Sequence, residues 1–217
     1  MKRKILGLCG FIGTGKTTTG NILVKEFGFE AISFAGTLKD AVSSVFGWPR
    51  HLLEGDTEES RMFRETLDEW WTKKLNINIL PREVLQKVGT EVFRMNFHPD
   101  IWIQSAMKKG LDKPDSNFVF TDTRFKNEIK AIKEIGGKII WIQRGQLPDW
   151  FELAKRKPHL MSELFPTVHR SEWEWVSSGP FSNLLNHSSL EDLTKFIHNL
   201  IKKMEKNDEQ ISSKIDI

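Results

Sequence analysis

Residues 10–17 read Gly-Phe-Ile-Gly-Thr-Gly-Lys-Thr, a complete G-x-x-x-x-G-K-[ST] phosphate loop set directly behind the apolar run Ile5-Leu6-Gly7-Leu8-Cys9. A strand that ends in such a loop and restarts as a helix constrains the fold more than any other feature of the chain. The glycines let backbone N–H groups curl around a polyphosphate where a Cβ would intrude, and the helix directs the positive end of its dipole at the anion. Gly10, Phe11, Ile12, Gly13, Thr14, Gly15, Lys16, Thr17 and Thr18 are therefore the expected cofactor-binding residues. Lys16 should reach the β- and γ-phosphates of a nucleotide, and Thr17 should place its hydroxyl on Mg²⁺. Ile22, Leu23 and Phe27 then recur at helical spacing before Gly28 closes the helix.

With 217 residues, 39% hydrophobic and 28% charged, the chain is long enough for one α/β core with an insertion. Its single cysteine, Cys9, ends the first strand, which excludes a disulfide framework and fits a reducing cytosol. No apolar run reaches bilayer length, and the start of the chain leads straight into a strand and loop that cleavage would destroy. A cytoplasmic protein that engages no membrane is expected. The net charge of +3 and pI of about 8.9 come from dispersed basic residues, which argues for small anions rather than nucleic acid as partners. The six histidines show no ligand spacing for zinc.

Along the chain, strands are expected at Glu30–Phe34, at 118–121 and 138–143, and at Leu184–Asn186. Helices are expected at 36–46, from Pro81 to Asn96, over 100–109, over 128–135 and from Leu190 to Met204. Periodicity fades over 47–78, which reads as a mobile cap, and over the Pro-containing, Trp-rich stretch that follows Gly145. Residues 205–217 read as a frayed tail. Strands alternating with helices imply a parallel sheet, with ligands beyond the carboxyl ends of the strands. The phosphate loop, Asp122-Thr123-Arg124 and Arg144 fall at such ends.

Asp122 and Arg124 admit two readings. In one, the carboxylate holds metal water or orients a nucleophile, while the guanidinium fork grips a phosphate. In the other, Asp122 caps the following helix and Arg124 pairs with Glu128 on its first turn. Trp70 and Trp71 offer either a stack for a nucleobase or packing, and because neighbours on a helix face different directions, at least one is expected to pack in the core or cap. Trp173 and Trp175 either close over a nucleotide or anchor their segment to the body.

Four stretches carry a resemblance across nearly the whole chain: Phe34-Ala35-Gly36-Thr37-Leu38-Lys39-Asp40-Ala41, Leu85-Gln86-Lys87-Val88-Gly89-Thr90-Glu91, Asp122-Thr123-Arg124-Phe125-Lys126-Asn127-Glu128 and His169-Arg170-Ser171-Glu172. In these residues and their order the chain resembles the bacteriophage deoxynucleoside monophosphate kinases. The resemblance implies an α/β P-loop NTPase fold: three αβα layers around a parallel sheet, with a helical insertion for the nucleoside monophosphate and a lid. It implies a single kinase domain over 1–204, with its core at 1–46, 79–145 and 182–204, a substrate-binding cap at 47–78 and a lid at 146–181. It implies ATP and Mg²⁺ as cofactors and a deoxynucleoside monophosphate as substrate, in the host cytoplasm for a phage protein; self-association as a homodimer stays open. The implied catalytic residues are Lys16, Asp122, Arg124, Arg144 and Arg170. The acceptor would meet Lys39, Asp40, Arg94, Asp122, Arg124 and Glu128, and the metal Thr17 and Asp122. Some members of that family carry an acidic residue at the position of Thr17, whereas Thr17 restores the usual hydroxyl ligand.

Kinases acting on dephospho-coenzyme A or on a phosphorylated alcohol such as phosphomevalonate would share the loop, the Asp-x-Arg pair and a lid. A guanine-nucleotide switch is disfavoured because no Asn-Lys-x-Asp stretch occurs, and a nucleic-acid motor because no acidic pair follows a hydrophobic strand. A module that binds ATP without transfer fits poorly with an intact Lys16 and Thr17.

Overall fold

In the computed structural model, described over residues 3–113, 115–179, 181–186 and 189–212, the apolar run Ile5–Cys9 is strand β1, buried along its whole length. The phosphate loop follows, then α1 (Lys16–Phe27), closed by left-handed Gly28. The remaining strands are β2 (Glu30–Ile32), β3 (Phe118–Phe120), β4 (Lys138–Gln143) and β5 (Ser182–Leu185). All four pairings are parallel and give the order β2-β3-β1-β4-β5. The chain divides into two compact units, residues 1–32 with 110–217 and residues 33–109.

The first unit holds the sheet. Leu6 and Leu8 share a core cluster with Ile22 and Leu23 of α1 and with Leu193, Ile197 and Ile201 of a long helix near the C-terminus, Leu190–Ser212. Gly7 lies between them and faces the other way. A Cβ there would come within 2.6 Å of Ile132, which belongs to the helix Lys126–Glu134. Helices therefore cover both faces of the parallel sheet, the α/β layering expected from the alternation of elements. Gly136 and Gly137 follow that helix, and Gly136 is left-handed at φ 80°.

The second unit is helical: α2 (Gly36–Phe46), a 3₁₀ turn Arg50–Leu53, α3 (Glu58–Glu65), α4 (Glu69–Leu75), α5 (Pro81–Lys87), a π-helical stretch Val88–Met95 and most of α6 (Ile101–Leu111). Its own core joins Val42, Trp48, Leu53, Ile79, Val84 and Leu85. The Trp48 indole stacks on Phe46 at 4.4 Å and donates its N–H to Asp68. Within 47–78, where no regular pattern is expected, α3 and α4 form because each is capped. Thr57 and Ser60 bond reciprocally at the start of α3, and Asp68 accepts from the Trp71 N–H at the start of α4. Trp71 is half-buried and donates to the Phe46 carbonyl, while Trp70 is 59% exposed. The single helix expected from Pro81 to Asn96 instead widens at Val88 into the π-helical stretch.

Resuming in the first unit, α7 (Lys126–Glu134) precedes β4, and the stretch after it is a chain of short turns: α8 (Phe151–Arg156), 3₁₀ Pro158–Leu160, α9 (Met161–Leu164), α10 (Arg170–Trp173) and 3₁₀ Glu174–Ser178. Phe11 of the phosphate loop packs against Trp150, Phe151 and Trp175, and Trp141 stacks on Phe151 at 5.4 Å. Trp173 and Trp175 are both buried, which is the anchoring reading of that pair. The closing helix, α11 (Leu190–Ser212), runs past the expected end at Met204. Residues 1–2 and 213–217 lie outside the described residues. No helix among the described residues is long and apolar enough to cross a membrane.

Candidate active site

The phosphate loop needs glycine at specific points. Gly10, Gly13 and Gly15 have φ of 146°, 78° and 100°, a region that disfavours any Cβ. Space adds a second restriction, since a Cβ on Gly10 would lie 2.3 Å from the Ile142 carbonyl oxygen and one on Gly15 would lie 2.6 Å from Nδ2 of Asn186. Thr14 is buried, and its hydroxyl donates to the Phe11 carbonyl at 2.9 Å. Ile12 stands 75% exposed at the tip. Thr17 and Thr18 are exposed on the first turn of α1, whose N–H groups have no partner within the helix. The Thr19 hydroxyl is buried without a hydrogen-bond partner.

Lys16 folds back over the loop, and its Nζ donates to the carbonyls of Gly10 and Phe11, each at 2.7 Å. Burial is the largest influence on this ammonium, followed by the positive charge of Arg124, and together they lower its pKa from 10.5 to about 8. Glu172, Cys9 and Asp122 act in the opposite sense. The buried Cys9 thiol lies just before the loop, and burial raises its pKa. Lys16, Asp122 and Arg124, distant in sequence, are thus within electrostatic reach of one another, and Glu172 joins them.

Arg124 is half-buried, and its Nη1 donates to Oε1 of Glu172 on α10 at 2.7 Å. The Glu128 side chain, four residues on, meets the Arg124 backbone. Glu128 is buried and its Oε2 accepts from the backbone N–H groups of Arg124 and Phe125, at 2.7 and 3.0 Å. It thereby satisfies the backbone at the start of α7, whose N-cap is Phe125. Asp122 stands half-buried just beyond β3, and the Thr123 hydroxyl behind it is buried without a partner. Arg170 is ion-paired with Glu174, a buried carboxylate that also accepts from the Lys126 N–H. Arg144 is exposed immediately after β4.

In the second unit, Lys39 and Asp40 belong to a chain of alternating charge. Lys39 pairs with Glu54 at 2.5 Å, Glu54 with Arg50, Arg50 with Asp40 at 2.6 Å, and Asp40 with Lys109 at 3.0 Å. Although burial pushes their carboxyls up, the surrounding cations hold both Asp40 and Glu54 below the ordinary range. Arg94 lies half-buried in the π-helical stretch. Arg50, Glu172 and Asn186 are the residues that sequence reasoning did not single out for a role. Only Glu172 had a local signal, as the last residue of His169-Arg170-Ser171-Glu172.

The loop fits a nucleotide polyphosphate, because its glycine α-carbons leave open what a Cβ would fill. Among the described residues no group of three or more His, Cys, Asp and Glu could hold a metal ion. Mg²⁺ keeps waters and takes one or two oxygen ligands from a protein beside phosphate oxygens. The Thr17 hydroxyl and the Asp122 carboxylate are oxygen donors of that kind.

No protein-family model matches the chain. A protein of Acanthamoeba polyphaga mimivirus described as "Putative deoxynucleotide monophosphate kinase" is 33% identical over 154 residues, covering 64% of this chain and 74% of the viral protein. Among solved structures, dephospho-CoA kinase from Campylobacter jejuni aligns with 17% identity and a TM-score of 0.47, covering 93% of this chain and 97% of the other. Shikimate kinase from Aquifex aeolicus aligns with 15% identity and a TM-score of 0.40, covering 94% and 98%.

Proposed function

Since the chain belongs to the P-loop kinase family that includes the mimivirus protein, we propose that it transfers the γ-phosphoryl group of ATP to a deoxynucleoside monophosphate, giving the diphosphate and ADP. The observation that carries this reading is the convergence of Lys16, Asp122 and Arg124 at one end of the sheet. Phosphoryl transfer asks a protein mainly to align two anions and to neutralise charge on the migrating group.

In this reading the N–H groups of the loop and of the first turn of α1 hold the donor phosphates. Lys16 exchanges its bonds to the Gly10 and Phe11 carbonyls for phosphate oxygens. When bound, Mg²⁺ neutralises charge on the β- and γ-phosphates, and Thr17 with Asp122 would hold it and its waters. Arg124 has a planar fork of five donors and uses one side-chain nitrogen on Glu172. The rest of the fork is assigned to a phosphate of the acceptor. Lys39, Asp40 and Arg94 are assigned to the acceptor, with Glu128 holding the Arg124 backbone in place for it. Arg144 and Arg170 are assigned to the donor phosphates or the ATP base.

The test is to incubate the purified protein with Mg²⁺-ATP and each common nucleoside and deoxynucleoside monophosphate in turn, then to resolve the products. Diphosphate and ADP in equal amounts from at least one deoxynucleoside monophosphate is the expected result. ADP released at the same rate with and without every acceptor would overturn the proposal.

A further inference from the structure

Asn186 directly follows β5 and is buried. Its backbone N–H donates to the Gln143 carbonyl at 2.8 Å, so the residue is held to the end of β4. Its side-chain Nδ2 donates to the Thr14 carbonyl at 2.8 Å, in a buried hydrogen bond. The same nitrogen lies where a Cβ on Gly15 would come within 2.6 Å, so the amide packs on the Gly15 α-carbon.

The Thr14 carbonyl and the Gly15 N–H belong to one planar trans peptide and point in opposite directions, so fixing one fixes the other. Gly15 sits at φ 100°, and glycine samples both signs of φ with little penalty. Its own conformational preference therefore cannot prevent this peptide from rotating. A rotated peptide would present a carbonyl oxygen, rather than an N–H, to an anion in the loop. It would also strip a buried amide of its acceptor, which is the costly outcome for a polar group out of water.

We propose that Asn186 is a positioning residue of the phosphate loop: by holding the Thr14 carbonyl it keeps the Gly15 N–H directed at the donor's phosphate chain. It acts through the backbone and touches no ligand. The inference rests on reading the loop as a polyphosphate cradle and is independent of which acceptor the enzyme uses.

Inorganic tripolyphosphate is the probe, because it engages the loop without a base or an acceptor. Binding is measured by calorimetry for the wild type, Asn186→Leu, which keeps bulk without a donor, and Asn186→Ala, which loses both. Losing one buried hydrogen bond that orients a charged contact should weaken binding about tenfold in each variant. In ¹⁵N-glycine-labelled protein, the Gly15 N–H resonance should move on adding tripolyphosphate in the wild type and stay in place in the Leu variant. Wild-type affinity in the Leu variant would overturn the inference, as would weakened binding with an unchanged Gly15 response or a wild-type protein that does not bind the probe. Should the Leu and Ala forms fail to fold, Asn186→Ser, a smaller change whose hydroxyl is too short to span the same distance, is expected to show the same paired loss. A protein that phosphorylates no deoxynucleoside monophosphate yet gives these results would refute the proposed function and leave this assignment standing.

Discussion

Lys16 sits where its chemistry is useful and its charge is a burden. Its pKa, lowered from 10.5 to about 8 by burial and by Arg124, means that the folded protein gives up this proton more readily than the unfolded chain. Between those two values the unfolded chain binds more protons, so this group's contribution to stability rises with pH across the window and is least favourable below it. Lys16→Met should therefore raise the melting temperature at pH 7, with the gain fading toward pH 10.5, while transfer falls by orders of magnitude. Calorimetry at the two pH values beside a turnover assay checks both halves. Affinity of the wild type for ATP should decline as pH rises through about 8, and a flat profile to pH 9.5 would refute a role for the ammonium. Arg124→Lys should lower kcat/KM for the acceptor at least about tenfold, because an ammonium cannot reproduce the planar fork that Glu172 holds by one nitrogen. At this scale the sequence is legible where function is contiguous. Residues 10–17 declare themselves, whereas Glu172 and Asn186 are joined to Arg124 and Thr14 across separations of 48 and 172 residues that no local spacing encodes.

The elements follow the same division between pattern and context. β1 and β4 are read easily because central parallel strands are near-continuous apolar runs, and α2 because its apolar residues recur over three turns. Within 47–78, α3 and α4 have only 8 and 7 residues, too few for periodicity to rise above composition. Their caps specify them instead, and the signal was present as Thr57 three residues before Ser60 and as Asp68 ahead of the tryptophan pair. The π-helical widening at Val88–Met95 leaves no mark in the apolar spacing, so one uninterrupted helix was the natural reading. If the caps do specify α3, Thr57→Ala should destabilise it by about 1 kcal/mol. Hydrogen exchange of the 58–65 amides should quicken by the corresponding factor, and unchanged protection there would count against the argument.

At the scale of the whole chain, strand order is the part that pattern cannot supply. β2 and β3 are neighbours in the sheet although all of residues 33–109 lies between them in sequence. What does follow from composition is that each unit has apolar residues enough for its own core, one around Leu6, Leu8 and Ile140 and the other around Trp48, Leu53 and Leu85. Trp48 is the keystone of the second. Its ring stacks on Phe46 at the end of α2, and its indole N–H reaches Asp68, the residue that caps α4. Trp48→Ala removes the stack and leaves Asp68 with one fewer donor, a change of the kind that costs about 3–5 kcal/mol in a core. If the two cores are separate cooperative units, that loss should appear as faster hydrogen exchange confined to 33–109. The amides of β1, β3 and β4 should keep their protection and the affinity for tripolyphosphate its wild-type value; with the acceptor assigned, as proposed, to Lys39, Asp40 and Arg94 of the loosened unit, its KM should rise. A parallel loss of protection in the sheet would instead mean that the two cores unfold as one. Donor binding would then depend on a residue of the second core.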